Sequence, residues 1–302
     1  MNDLTVEEDF KSGFVSVVGQ PNVGKSTLIN NLIGHKISIT SRKAQTTRNK
    51  IQSILTLDEA QLIFIDTPGV HRADDKMGEY LNEVSYDSLK EIDLVLFMVD
   101  GNYPPNKDDK KVAAELTNLG SPVILVVNKI DKMSNNLEKR IKEYQRLGEF
   151  DDLAAVSALK EINLDYLLDL MVDSLEKGPK YYPDNMITDQ IEQFIITELI
   201  REQVLNYTHE EVPHSVAVEI IDFNERTDKE IIDIRANVYV ERESQKGILI
   251  GKNGGMLKKI GSQARTEIED LLNSKIFLDL WVKVKKNWRD REDALKMLGY
   301  RG

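Results

Sequence analysis

The 302-residue sequence has no cysteine, which excludes disulfide staples and thiolate metal sites. It has no apolar run near the roughly 20 residues that a membrane-spanning helix needs. The longest such runs, "LVLFMV" (94–99) and "PVILVV" (122–127), have the length of buried strands. The N-terminus, "MNDLTVEEDF", is acidic and lacks the apolar core of a secretory signal. Internal repeats and low-complexity tracts are also missing. These absences predict a cytosolic protein. At 41% hydrophobic and 30% charged, the chain can bury ordinary cores, and its length suits two domains.

Basic charge is scarce overall, with a net of −11, but it is unevenly spread. Residues 185–245 hold 5 basic and 14 acidic residues, a net of −9. Residues 246–302 hold 13 basic and 7 acidic, a net of +6. A glycine-rich turn, "IGKNGG" (250–255), opens this only strongly basic stretch.

Up to about residue 175 the chain alternates short apolar strands with amphipathic segments. "FVSVVG", "QLIFID", "DLVLFMVD", "PVILVVNK" and "DLAAVSA" read as strands of a mainly parallel sheet covered by helices on both faces, an α/β class. Ligands of such sheets bind at the carboxyl ends of the strands. "EKGPKYYPDN" (176–185) interrupts the pattern with two prolines and a glycine and predicts a break into domains 1–180 and 181–302. Beyond it, Ile187, Ile191, Phe194, Ile195 and Leu199 recur at helical spacing. Two alternating strands follow, then a helix, the glycine turn, another helix, a strand and a last helix, an α+β order.

"GQPNVGKS" (19–26) fits the P-loop pattern and lies between a predicted strand and helix. Gly19 and Gly24 let backbone N–H groups turn toward phosphates, and Lys25 supplies a point charge to them. Ser26 offers a hydroxyl to Mg²⁺, and Asn22, Val23 and Thr27 complete the cradle. "DTPG" (66–69) ends a strand, where Asp66 can hold Mg²⁺ through water and the Gly69 N–H can meet the γ-phosphate. "NKID" (128–131) ends another. The Asp131 carboxylate can accept both the N1–H and the 2-amino group of guanine, with Asn128 and Lys129 beside it. "SAL" (157–159) ends the last strand, where Ser157 flanks the base and the Ala158 N–H could meet guanine O6. Four motifs in this order indicate a GTPase, with GTP and GDP as ligands.

"RKAQTTR" (42–48) supplies a switch threonine for Mg²⁺ and the γ-phosphate. Thr47 is the first choice and Thr46 the alternative. Val70 follows "DTPG", where many GTPases carry a water-orienting glutamine, so slow intrinsic hydrolysis is expected. His71, a lone histidine on a loop, reads as structural rather than as a base. Asn22 could also lend an oxygen to K⁺ beside the phosphates.

The second glycine loop, Gly251-Lys252-Asn253-Gly254, lacks the Lys-Ser pair of a nucleotide site. Such a G-x-x-G turn between helices can clamp the backbone of a short single strand. Lys258, Lys283 and Lys285 add charge, and Trp281 and Trp288 are candidates for base stacking. The element order matches a KH domain of the second topology.

Taken together, "GQPNVGKSTLINNLIG", "ITSRKAQTTRNKI", "FIDTPGVH", "NKID", "GPKYYPDNMITDQ", "ILIGKNGGMLKKIG" and "LWVKVKKNWR" resemble the Era family, bacterial GTPases with a C-terminal KH domain. A hydrophobic residue after "DTPG" matches that family, so Val70 is expected there. The resemblance implies a role in maturation of the small (30S) ribosomal subunit, in which the KH domain holds the 3′ region of 16S rRNA. It also implies a monomer and, in some members, peripheral association with the inner membrane surface. GTPases serving RNA-modification complexes resemble this P-loop but carry a C-terminal cysteine motif, which is missing here. A membrane transport G protein would need membrane helices, and a double-GTPase factor a second GKS motif. A protein-binding C-terminal module is the remaining rival.

Overall fold

The inner strands of one sheet in this chain are apolar on both faces, whereas strands of the other alternate. The computed structural model describes residues 9–41, 43, 46–66, 68, 75–87, 92–117, 119–133, 136–226 and 231–300. It divides into two compact units, one of Met1–Ser38, Thr47–Arg72 and Leu81–Asp189, the other of Ile39–Thr46, Ala73–Tyr80 and Gln190–Gly302.

The first unit contains β1 (Lys11–Val18), α1 (Lys25–Ile33), β2 (Ile51–Thr56) and β3 (Ala60–Asp66). Next in the chain come α2 (Lys76–Asp87), whose first residues up to Tyr80 are counted with the second unit, then β4 (Leu94–Asp100), α3 (Lys107–Leu116), β5 (Val123–Asn128), α4 (Leu137–Gln145), β6 (Asp152–Ala155) and α5 (Leu164–Ser174). The strand order is β2-β3-β1-β4-β5-β6, parallel except for β2. β3 and β5 are buried along their whole length, as strands covered on both faces must be. One side of the core packs Val95, Phe97, Leu125 and Val127 against Val112, Ala113 and Leu116 of α3 and Tyr144 of α4. α3 starts on a capping box: the Asn106 side chain accepts from the Asp108 and Asp109 amides, and the Asp109 carboxylate accepts from the Asn106 amide.

The proline- and glycine-bearing stretch is not loose. Buried Gln61 of β3 accepts from the Tyr181 and Tyr182 amides at 2.8 and 2.9 Å and donates to the Tyr182 carbonyl at 2.8 Å. Thr188 donates to the Gln52 carbonyl at 2.6 Å, and the Ile54 amide to the Ile187 carbonyl at 2.9 Å. This stretch therefore lies along β2 and β3 of the first unit, which runs to Asp189.

The second unit contains α6 (Glu192–Tyr207), β7 (Ala217–Glu225), β8 (Ile231–Val240), α7 (Glu243–Ile250), α8 (Gly255–Leu272), β9 (Lys275–Val284) and α9 (Glu292–Met297). Its sheet runs β7-β8-β9, antiparallel then parallel. Ile276 and Val282 of β9, with Ile234, Ala236 and Val238 of β8, meet Ile196, Leu199 and Ile200 of α6 and Ile260, Ala264 and Ile268 of α8. Two expectations need correction. Ile187 and Ile191 do not extend α6: Ile187 is tied to β2, and Ile191 is its extended N-cap residue, 70% exposed. Trp288 does not face solvent: it is fully buried, stacks on Tyr300 and donates its ring N–H to the Ser215 carbonyl at 2.9 Å. A stacking role for Trp288 is thereby withdrawn.

Candidate functional site

The loop between β1 and α1 is shaped by what lies behind it. At Gly24, φ is +114° and a Cβ would meet the Asn128 side-chain nitrogen at 2.3 Å, so only glycine fits. Asn128 uses that approach. Its Nδ2 donates to the Val23 carbonyl at 2.7 Å, while its Oδ1 accepts from the Ala158 amide at 2.9 Å. One buried asparagine thus braces the cradle against the "SAL" turn. Lys129 adds a second brace, donating to the Asn22 carbonyl at 2.6 Å and pairing with Asp100 at 2.7 Å. Asp100, at the end of β4, carries no motif that marks it in the sequence. α1 begins at Lys25 with no side chain capping it among the described residues, which leaves its first amides suited to an anion.

Lys25 is buried at the centre, its ammonium donating to the Gly19 and Gln20 carbonyls at 3.1 and 3.2 Å. Burial pushes that ammonium down to about 8, against the pull of Asp66. Asp66, also buried at the end of β3, is raised by burial, against hydrogen bonds from Ser26 and Thr47 and the charge of Lys25. A phosphate beside Lys25 and a cation beside Asp66 would each offset a desolvation cost.

Ser26 Oγ donates to Asp66 Oδ2 at 2.8 Å and lies 3.1 Å from Thr47 Oγ1, which is 3.4 Å from the same Oδ2. Asp66 Oδ1 is buried and has no hydrogen-bond partner among the described residues. Two hydroxyls and a carboxylate converging in this way are hard oxygen donors that fit Mg²⁺. The structure also separates the two switch candidates. Thr47 joins the cluster, whereas the Thr46 hydroxyl donates to the Lys43 carbonyl at 2.7 Å. Gly69, Val70 and His71 lie outside the described residues.

On the guanine side, Lys129 and the short turn Ile130–Lys132 hold Asp131 at the surface beyond β5. Ser157 Oγ donates to Asp131 Oδ1 at 2.6 Å and accepts from the Lys160 amide at 3.2 Å. The carboxylate is thus oriented, with its second oxygen left for a base. The Ala158 amide, expected at guanine O6, is engaged with Asn128 in this structure. Asn22 is exposed at φ +65°.

The second glycine loop joins α7 to α8 through a 3-10 turn, Lys252–Gly254. Gly251 has φ +71°, and a Cβ there would meet the Met256 Cβ at 2.7 Å. Asn253 also takes a left-handed conformation, φ +54°. Lys252, Asn253 and Lys258 are exposed around this turn. Lys283 and Lys285 are not on that side. In β9 the even positions Ile276 to Val284 pack into the core, so the odd ones point to the opposite face, where Lys285 lies over the Tyr239 ring and Trp281 is 56% exposed.

Comparison with known proteins covers both units. Residues 14–129 match a family model described as a 50S ribosome-binding GTPase, and residues 211–289 a KH domain model. The chain is 52% identical over 293 residues to GTPase Era of Clostridioides difficile (strain 630), across 96% of this chain and 99% of that protein. It is 50% identical over 292 residues to GTPase Era of Alkaliphilus oremlandii (strain OhILAs), across 96% and 99%. A crystal structure of Era with MgGDPNP and nucleotides 1506–1542 of 16S ribosomal RNA superposes with a TM-score of 0.94 at 39% identity, covering 97% of this chain and all of that one. An Aquifex aeolicus Era variant bound to GDP·AlF4⁻ gives the same TM-score and identity over the same shares.

Proposed function

The chain belongs to the Era family and is a GTPase, and we propose that its KH domain holds the 3′ region of 16S rRNA in the maturation of the small ribosomal subunit. The observation that carries the RNA reading is the exposed turn Gly251–Gly254 between two helices, in a chain 39% identical to an Era protein crystallised with a 16S fragment. Lys252 and Lys258 supply charge to the RNA backbone, and Lys283 and Lys285 contribute at longer range from the other face of the sheet. The protein acts as a cytoplasmic monomer. Crosslinking at Lys252 in cells, with and without GTP, followed by sequencing, is expected to recover the 3′ end of 16S rRNA. Reads scattered over unrelated RNAs would overturn the assignment.

In the nucleotide site, Lys25 and the α1 amides hold the phosphates, and Asp131 reads the base. Ser26, Thr47 and Asp66 would hold Mg²⁺, which supplies charge neutralisation between phosphate oxygens when bound. Val70, the hydrophobic residue after "DTPG", cannot orient water, so positioning and charge must carry the reaction. Asn22 would add to that charge through K⁺. Hydrolysis is expected to run faster in K⁺ than in Na⁺, and Asn22→Ala to flatten the difference. Equal rates of the parent protein in the two salts would remove K⁺ from the site.

A further inference from the structure

An ordinary amphipathic helix does not bury charge, yet within little more than one turn α6 buries Glu198, Arg201 and Glu202, at 2, 0 and 1% exposure. We propose that Arg201 is a positioning residue for GTP hydrolysis, holding the backbone at Thr46 so that the next residue, Thr47, meets the γ-phosphate and its cation. The proposal rests on Thr47 being the switch threonine.

The Arg201 guanidinium is clamped on one side by its own helix. Its Nε donates to Glu198 Oε1 at 2.8 Å, and Nη2 reaches the other carboxylate oxygen. From that fixed position Nη2 also donates to the Thr46 carbonyl. Burial works against the charge, but Glu198, Tyr300 and Glu202 outweigh it and hold the guanidinium above its ordinary range. Glu202 grips the other end of the same segment, accepting from the Thr40 amide at 2.9 Å and its hydroxyl at 3.3 Å. Ile39 is buried in the hydrophobic core with α6. Residues 39–46 thus belong to the second unit, held at Ile39, Thr40 and Thr46, and the peptide bond after Thr46 leads directly to the Ser26–Asp66–Thr47 cluster.

Packing alone does not call for ions here. A buried ion pair can often be replaced by apolar residues of similar volume with little loss, so stability alone does not account for this one. That property also supplies the test. Glu198→Leu/Arg201→Met removes both charges together and fills their space while deleting the bond to Thr46. GDP does not touch a switch threonine, whereas GTP does. The double variant is therefore expected to bind GDP within about twofold of the parent and to lose about tenfold in affinity for a non-hydrolysable GTP analogue, the worth of one charge-assisted hydrogen bond. Its kcat is expected to fall by about the same factor. A merely structural role would lower both nucleotides' binding alike.

Thr47→Ala is measured in parallel. If it leaves the GTP-to-GDP affinity ratio unchanged, the switch reading itself fails. If it lowers the ratio and the folded double variant does not, the role of Arg201 is overturned alone. Should the apolar pair not fold, Glu198→Gln/Arg201→Gln keeps a neutral, mutually bonded pair too short to reach Thr46. A parent-like ratio in that variant overturns the proposal equally.

Discussion

Lys252→Asp with Asn253→Asp is expected to abolish RNA binding, lowering affinity by about a hundredfold or more, while the fold and RNA-free GTP turnover stay at parent level. The two side chains are exposed on the 3-10 turn between α7 and α8, so each change costs within about 0.5 kcal/mol of stability. Aspartate tolerates the left-handed conformation that Asn253 holds at φ +54°. The electrostatic change is much larger. One positive charge is lost and two negative charges are gained where a phosphate backbone must approach closest. Parent affinity is also expected to fall steeply with salt as counterions are released. A 16S 3′ oligonucleotide titrated at several salt concentrations, with GTP turnover on the same samples, reads both effects. A folded double variant that binds as tightly as the parent would reduce the loop to a turn and favour a protein-binding module.

What the sequence made legible follows from the range of the interactions involved. The cradle, "NKID" and the G-x-x-G turn are compact sequence patterns, glycine at left-handed φ and short polar residues at strand ends, and so are legible even where, as at Gly24, the constraint comes from Asn128 across the fold. The five mainly apolar strands were equally plain. β2 (Ile51–Thr56) was not, because an antiparallel outer strand with Gln52 and Ser53 among its isoleucines has neither a continuous apolar run nor a clean alternation. Trp288 beside a row of basic residues looks available for stacking, and only the Ser215 carbonyl and the Tyr300 ring, both distant in sequence, account for its burial. Arg201 is the sharper case. Its neighbours give it a polar face, and its burial depends on Thr46, 155 residues away. Charge on a helix surface and charge in a buried clamp look alike until the chain is folded.

The guanine site offers the second large effect, and here the structure supplies the orientation that the motif leaves open. Asp131→Asn is expected to lower GTP affinity by about a thousandfold, since two hydrogen bonds to a carboxylate are worth ~3–6 kcal/mol together. It is expected to raise affinity for xanthosine triphosphate in its place. Ser157 Oγ already accepts from the Lys160 amide, so its hydroxyl hydrogen is directed at Asp131 Oδ1, 2.6 Å away. An asparagine must therefore keep its carbonyl oxygen on Ser157, and its amide nitrogen takes the place of Oδ2. That nitrogen is a donor facing the base, where the guanine 2-amino group offers another donor and the xanthine 2-oxo group an acceptor. Removing the anchor tests the orientation. Ser157→Ala in the Asp131→Asn background frees the amide to rotate, and the xanthine preference is expected to shrink, with the phosphate contacts of Lys25 untouched. Direct titration with fluorescent GTP and with fluorescent xanthosine triphosphate measures both variants. Unchanged GTP affinity in Asp131→Asn would remove this residue from base recognition, and a xanthine preference indifferent to Ser157→Ala would mean that the base itself, not the serine, turns the amide.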